Sequence, residues 1–416
     1  MTEHPIYQAV EHFKAGRLTA AEDICRSLLM RVPNDGATNH LLGVIWFRQG
    51  KTAAARDLLA RASASPGATP EVHNNYGLVL KALGQTDAAI GAFKRALALN
   101  PEMPEAIINL RRACRDVVPA WHFAMMADKP RNDAYQAAIE RVAGGRRVLD
   151  IGTGAGLLAM MAAQAGAKSV TSCEMVGAIA ESARDIIALN GLADRITIIK
   201  KSSTELAVGR GIAERAQVLV TEIFSSSLIR EGVLPTIEHA HEQLLTDDAI
   251  VIPRAASAVG YLIGGAVIEG MLFAGRSNGF DLSPFDNFAP SSMYIPLDGV
   301  AHSVFSEDFE LLRFDLSMKS FPMAGHKIAV TATRAGRCAG VAQWIRLELD
   351  EHTRYENRPG PTSVAPARRS DLVPQYACGW THVIYRFPKL VGVEPGDIVT
   401  LAVTHDRHHF AVDLAK

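Results

Sequence analysis

Glu222 and Glu231 stand nine residues apart, just past an apolar run, Ala216-Gln217-Val218-Leu219-Val220-Thr221, that reads as a buried parallel strand. Two carboxylates at the mouth of an α/β fold can grip a planar cation. Guanidinium is the obvious candidate, because it stays protonated at physiological pH and offers a fork of donors that one or two carboxylates match. The competing reading makes both residues surface acids, with Glu231 favouring a helix N-terminus. The upstream sequence supports the first.

There, Arg147-Val148-Leu149-Asp150-Ile151 reads as a buried strand, followed by Gly152-Thr153-Gly154-Ala155-Gly156 and a helix rich in Ala and Met. Gly152 and Gly154 let the backbone turn sharply and approach a ligand closely. The GxGxG spacing led by Asp150 resembles an S-adenosylmethionine loop. A dinucleotide loop would read GxGxxG and set a pyrophosphate on the helix N-terminus. Glu174 ends the next strand, 24 residues after Asp150, where a carboxylate can accept both ribose hydroxyls. Lys200 to Glu205, with Ser203 and Thr204, would border the adenine. With a methyl donor in this loop, the glutamate pair points to methylation of arginine.

Three sections must position these residues. In residues 1–117, Gly16, Gly50 and Gly84 recur at intervals of 34, as do Ala21, Ala55 and Ala89. That period, with glycine at the turn and alanine where helices touch, resembles the tetratricopeptide repeat, best in the third copy from Tyr76-Gly77 to Asn100-Pro101. Stacked hairpins form a curved array, read equally as a peptide groove or as an inert scaffold or dimer contact. Residues 118–253 alternate strands with helices, as a doubly wound Rossmann-like sheet requires. Residues 254–416 carry short apolar runs between turns, an antiparallel barrel or sandwich, broken near 270–298 by a proline-rich helical or looped insertion.

Composition narrows the partners. At 416 residues the chain can hold two or three domains, and a formal charge of −1 provides no global field for nucleic acid or anionic membrane. Met1 to Pro5 lacks the basic start of a signal peptide, and Ala258 to Gly275 is interrupted by Glu269 and five glycines, so neither a leader nor a membrane span is expected. Five scattered cysteines without a CxxC pair suit reduced thiols in a cytoplasmic protein. No metal site is expected: His405-Asp406-Arg407-His408-His409 reads as a solvated hairpin turn, and His239 and His241 fall on different helix faces.

From residue 121 onward the chain resembles the protein arginine methyltransferase family. His122-x-x-Met125-Met126-x-Asp128-x-x-Arg131-x-x-x-Tyr135 is similar to that family's cofactor-covering helix, and Glu222 and Glu231 to its double-glutamate loop. The resemblance implies that Arg131 pairs with the methionine carboxylate of the donor, that His122 lies near it and that Met125 shapes the transfer pocket. Val251-Ile252-Pro253 would be the hinge into a C-terminal barrel contributing Trp380, and the 270–298 insertion would sit where the family carries a dimerisation arm. A protein or peptide substrate, recruited by the repeats, and a homodimer are implied as partners. The Lys200 to Leu206 and Thr221 to His241 segments look most like the branch that makes monomethylarginine; repeats ahead of the enzyme are similar to another branch.

Three departures stand out. The family's tyrosine-rich helix at the pocket mouth has Trp121 and no tyrosine between Asp116 and Ala124. The loop usually reading Thr-His-Trp is Cys378-Gly379-Trp380, so the histidine expected to pair with Asp128 is absent. Ser225 and Ser227 stand where the monomethylating branch carries acids. The expected function is therefore arginine methylation, in which Glu222 and Glu231 pin the guanidinium and leave one nitrogen free to attack. Its rivals are a methyltransferase for another substrate and a degenerate interaction protein.

Overall fold

Gly16, Gly50 and Gly84 take φ angles of 74°, 78° and 72°, a backbone region glycine enters without strain, and each closes one helical hairpin. The hairpins are Pro5–Lys14 with Leu18–Arg31, Gly36–Arg48 with Thr52–Ala64, and Pro70–Ala82 with Thr86–Leu99; Pro104–Val117 follows. Ala21, Ala55 and Ala89 are wholly buried where the helices meet. In the third hairpin a side chain on Gly77 would come within 2.4 Å of Phe93 Cε1, so the bare backbone is what lets that ring lie against the helix.

The computed structural model describes residues 5–118, 121–360 and 380–415. The chain divides into two compact units, Met1–Ala120 with Val176–Ala178 and Trp121–Met175 with Ile179–Lys416. Cys378 and Gly379, singled out above, lie outside the described residues.

The second unit holds a five-stranded parallel sheet in the order Ile196–Ile199, Ser169–Cys173, Arg147–Ile151, Ala216–Thr221, Leu245–Ile252. The expected Rossmann-like class is what the structure has. Asp247 and Asp248 interrupt the apolar pattern of the fifth strand, so only its end, Val251-Ile252, was visible as a hinge. Strand order reverses around Arg147–Ile151, which pairs with Ser169–Cys173 on one side and Ala216–Thr221 on the other. Ligands in open α/β sheets bind at such a crevice beyond the strand ends. Gly152, Glu174 and Glu222 are the residues that directly follow those three strands.

Antiparallel sheets complete the unit. One runs Ser292–Tyr294, Val383–Val393, Gly336–Glu348, Ala255–Gly264, Ser303–Val304, with Phe309–Asp315 on Ala255–Gly264 and Arg354–Glu356 on Gly336–Glu348. The other joins Ala324–Thr331, Ile398–His405 and Phe410–Leu414. Ala255–Gly264 is buried along its whole length, which suits its continuous small and apolar sequence. The insertion is a short hairpin, Arg276–Ser277 with Phe280–Asp281, then a 3-10 turn, Ser283–Phe288, with the edge strand Ser292–Tyr294 at its end.

Candidate active site

Asp150, next to last in the central strand, is almost wholly buried, with Ser172 Oγ donating to its Oδ2 at 2.6 Å. Burial pushes its pKa up to about 7, against the pull of the Ser172 hydrogen bond and with the help of the charges on Glu174 and Glu222. Its Oδ1 is buried without a hydrogen-bond partner among the described residues. Gly152 follows at φ 87°, and a side chain there would come within 2.6 Å of Ile223 Cγ2. Gly154, at φ 50°, has nothing within 4 Å of where a side chain would start, so its backbone lies bare. Its N–H donates to Glu174 Oε2 at 3.2 Å. An open backbone at Gly154, an acceptor at the next strand end and a buried Asp150 oxygen unpartnered among the described residues fit S-adenosylmethionine, which brings ribose hydroxyls and a methionyl ammonium as donors. Beside the third strand, Ser203 is buried and Thr204 exposed in a 3-10 turn that Ser202 and Glu205 cap reciprocally.

Glu222 follows Thr221, whose hydroxyl donates to Ile151 O at 2.9 Å and whose carbonyl accepts from Tyr135 OH at 3.1 Å. The strand end is thus pinned from two sides. Arg131 Nη2 lies 2.8 Å from Glu222 Oε2, and both side chains are 4% exposed. Burial raises the Glu222 pKa even so; the Arg131 charge and the Phe224 N–H pull it down. Arg131 Nη1 donates to Asn132 Oδ1 at 2.8 Å, and its Nε has no partner among the described residues. The resemblance assigned Arg131 to the donor's carboxylate and Glu222 to the acceptor; the fold puts the two in direct contact.

Glu231 opens to solvent, yet the protein around it and then the Glu222 charge raise its pKa. It lines a pocket of about 160 Å³ with Trp121, Phe224, Ser225, Ser226, Tyr294 and Trp380. The loop between the two glutamates is held from the antiparallel side. Trp380 Nε1 donates to Phe224 O at 2.6 Å, and Thr381 N to Ser226 Oγ at 2.9 Å. Ser225 Oγ accepts from Arg230 N at 3.2 Å, so this serine closes the loop on itself. Tyr294 OH accepts from Arg230 Nη1 at 3.0 Å. A larger cleft, about 660 Å³, contains none of these residues, and two of its cations are already paired, Arg407 with Glu238 and Lys319 with Asp247.

His122 and Met125 lie on the helix Trp121–Ala127, with the His122 ring stacked on Trp121 at 3.9 Å between centroids. The Met125 carbonyl faces Arg131, 3.5 Å from Nη1. Asp128 caps the next helix, Lys129–Val142, by accepting from Arg131 N at 3.1 Å. Its other oxygen accepts from Tyr355 OH. The structure therefore brings Arg131, Glu222, Glu231 and Trp380 around one loop, and Asp150, Gly154 and Glu174 around another. Sequence reasoning missed Tyr294, Ser226 and Tyr355. Tyr294 had one weak signal, an aromatic at the end of the insertion; the others had none. Among the described residues no group of His, Cys, Asp and Glu could hold a metal.

Residues 134–244 match the family described as ribosomal protein L11 methyltransferase, and residues 70–103 match the tetratricopeptide repeat. An arginine N(omega)-methyltransferase of Streptomyces achromogenes subsp. streptozoticus is 37% identical over 68% of this chain and 79% of its own length. Protein arginine N-methyltransferase 9 of Mus musculus is 29% identical over 80% of this chain, and protein arginine N-methyltransferase 7 of Drosophila mojavensis 31% identical over 73%. This chain spans less than half the length of those two relatives, 42% and 48%. A Trypanosoma brucei PRMT1 enzyme–prozyme complex with AdoHcy shares the fold at a TM-score of 0.58 and 20% identity, over 71% of this chain and 94% of that one. Arabidopsis thaliana protein arginine methyltransferase 10 does so at 0.53 and 19%, over 68% and 86%. The chain belongs to the arginine N-methyltransferase family, enzymes whose methyl donor is S-adenosylmethionine.

Proposed function

We propose that this protein methylates a guanidino nitrogen of arginine in a protein or peptide, with Glu222 and Glu231 holding the acceptor. The observation that carries this is Glu222 itself, buried at the pinned end of a strand and already engaged with a guanidinium. S-adenosylmethionine supplies an electrophilic methyl group. Asp150, Gly152, Gly154 and Glu174 would hold its adenosyl part, with Ser203 and Thr204 beside the base and His122 and Met125 on the covering helix. Arg131 Nε has no partner among the described residues, so its guanidinium can meet a second carboxylate on an edge that Glu222 does not use.

Guanidinium is a poor nucleophile because its lone pairs are delocalised. Two carboxylates on one side concentrate the positive charge there and leave the opposite nitrogen better able to attack. The aromatic walls, Trp121, Tyr294 and Trp380, orient the planar group. Glu231, solvent-connected and with a raised pKa, is suited to accept the proton the methylated nitrogen releases. The Streptomyces relative is named for arginine, so free arginine is the second acceptor to test.

The antiparallel sheets would wall the groove as a barrel, and the repeat array would recruit the target. The exposed Phe280, Phe285 and Phe288 of the insertion support a homodimer contact. Cys25, Cys173 and Cys338, buried and in no disulfide among the described residues, support a cytoplasmic setting; no described helix is long and apolar enough to cross a membrane. The test is mass spectrometry of products from labelled donor with a peptide library and with free arginine. Glu222→Gln should lower kcat by roughly 10²–10³ while S-adenosylhomocysteine still binds. Retained transfer in that variant would sink the assignment.

A further inference from the structure

The histidine expected opposite Asp128 is missing, yet Asp128 is not left alone. It sits in the turn between helices Trp121–Ala127 and Lys129–Val142, 3% exposed. One oxygen accepts from Arg131 N at 3.1 Å, and the other from the hydroxyl of Tyr355, 227 residues away. Tyr355 is buried in the strand Arg354–Glu356, which pairs with Gly336–Glu348. Its ring packs against Trp380, with centroids 5.8 Å apart, and Trp380 in turn holds Phe224 O in the glutamate loop. The Trp380 ring lies beneath Arg131, 5.9 Å from centroid to Cζ.

We infer that Tyr355 is a positioning residue for the proposed methyl transfer: its hydroxyl latches Asp128 and so fixes the turn that sets the Arg131 guanidinium on Glu222. Arg131 begins only three residues after Asp128, and its own N–H is one of the two donors on that carboxylate. Removing the Tyr355 hydroxyl leaves a buried carboxylate oxygen short of a donor, a state folded proteins avoid. The turn must then move toward water, and Arg131 moves with it. A displacement of about 1 Å in a group aligned with the reacting centre is worth up to roughly a hundredfold in rate. The latch joins the antiparallel sheet to the helix pair that carries Arg131 by one tyrosine, where the sequence resemblance implies a histidine.

The inference rests on the function proposed above, and Tyr355→Phe in the 416-residue chain tests it. The ring and its contact with Trp380 stay, and only the hydroxyl goes. The expected result is a fall in kcat of about tenfold, with KM for an arginine peptide within about twofold of wild type. Hydrogen exchange of residues 121–131, measured with S-adenosylhomocysteine bound, should rise while the parallel sheet keeps its protection. Asp128→Asn keeps the helix cap, and combining it with Tyr355→Phe should cost no more than the larger single effect. An unchanged kcat, or additive losses in the double variant, overturns the positioning role. Unchanged exchange in 121–131 overturns the latch whether or not the wild type methylates arginine. A wild type that methylates no arginine acceptor refutes the proposed function and leaves the exchange measurement to judge the latch.

Discussion

Arg131 and Glu222 form a buried ion pair, Nη2 to Oε2 2.8 Å, across 91 residues of sequence. The pair joins the turn over the parallel sheet to the strand end beneath it. Arg131 also stacks its guanidinium over Tyr135, 5.2 Å from the ring centroid, and Tyr135 in turn supports the Thr221 carbonyl next to Glu222. Charge, ring and strand end therefore hold one another. The site proposed to receive one guanidinium is already organised by another.

Breaking this pair from one side should be costly. Arg131→Met strands a buried carboxylate, a change worth about 3–5 kcal/mol when no partner replaces it. Thermal melts of the cofactor-free protein should show the loss, and Arg131→Met with Glu222→Met should recover most of it. Equal instability of the single and double variants would mean that the pair does not set the local energetics.

Asp150 makes stability depend on pH. Its folded pKa of about 7 lies above the ordinary carboxylate value, so the unfolded chain releases this proton first as pH rises. The stability it contributes is complete below about pH 4, declines as pH rises through the folded value near 7 and changes no further above it. Asp150→Asn cannot ionise. Its melting temperature relative to wild type should climb between those limits and then level off, as differential scanning calorimetry in matched buffers can follow. A flat difference would contradict the burial argument.

Tyr294 should govern acceptor binding more than chemistry. It stands in the wall of the Glu231 pocket and is held by Arg230 Nη1 at 3.0 Å. Tyr294→Ala is expected to raise KM for an arginine peptide by about tenfold with kcat within about threefold. Steady-state kinetics on a single peptide resolves the two, and a fall confined to kcat would place Tyr294 in the transfer step instead.

The insertion should control assembly. Phe285 and Phe288 are 70% and 80% exposed and lie against each other, rings tilted by 52° and 5.6 Å between centroids. Single aromatics at a surface are ordinary, but such a pair on a projecting turn favours a covering partner. Phe285→Asp with Phe288→Asp should shift sedimentation toward the monomer mass. A wild type that sediments as a monomer at every concentration would remove this reading.

Much of this protein is written in local sequence. The period of 34 sets the helical hairpins because each turn needs a glycine at positive φ. Gly152 and Gly154, Glu174 and Glu222 are legible because each lies just past a strand end, Asp150 because it is a lone acid in an apolar strand, and Glu231 by its spacing from Glu222. Tertiary structure alone decided which of them meet. Arg131 on Glu222, Tyr355 on Asp128 and Ser226 on Thr381 pair residues 91, 227 and 155 positions apart. A side-chain hydrogen bond leaves no periodicity in the chain; it exists only where packing has brought its donor and acceptor together. The missing histidine shows the limit of motif reading: its absence was plain in the sequence, and only the fold revealed the tyrosine that holds Asp128.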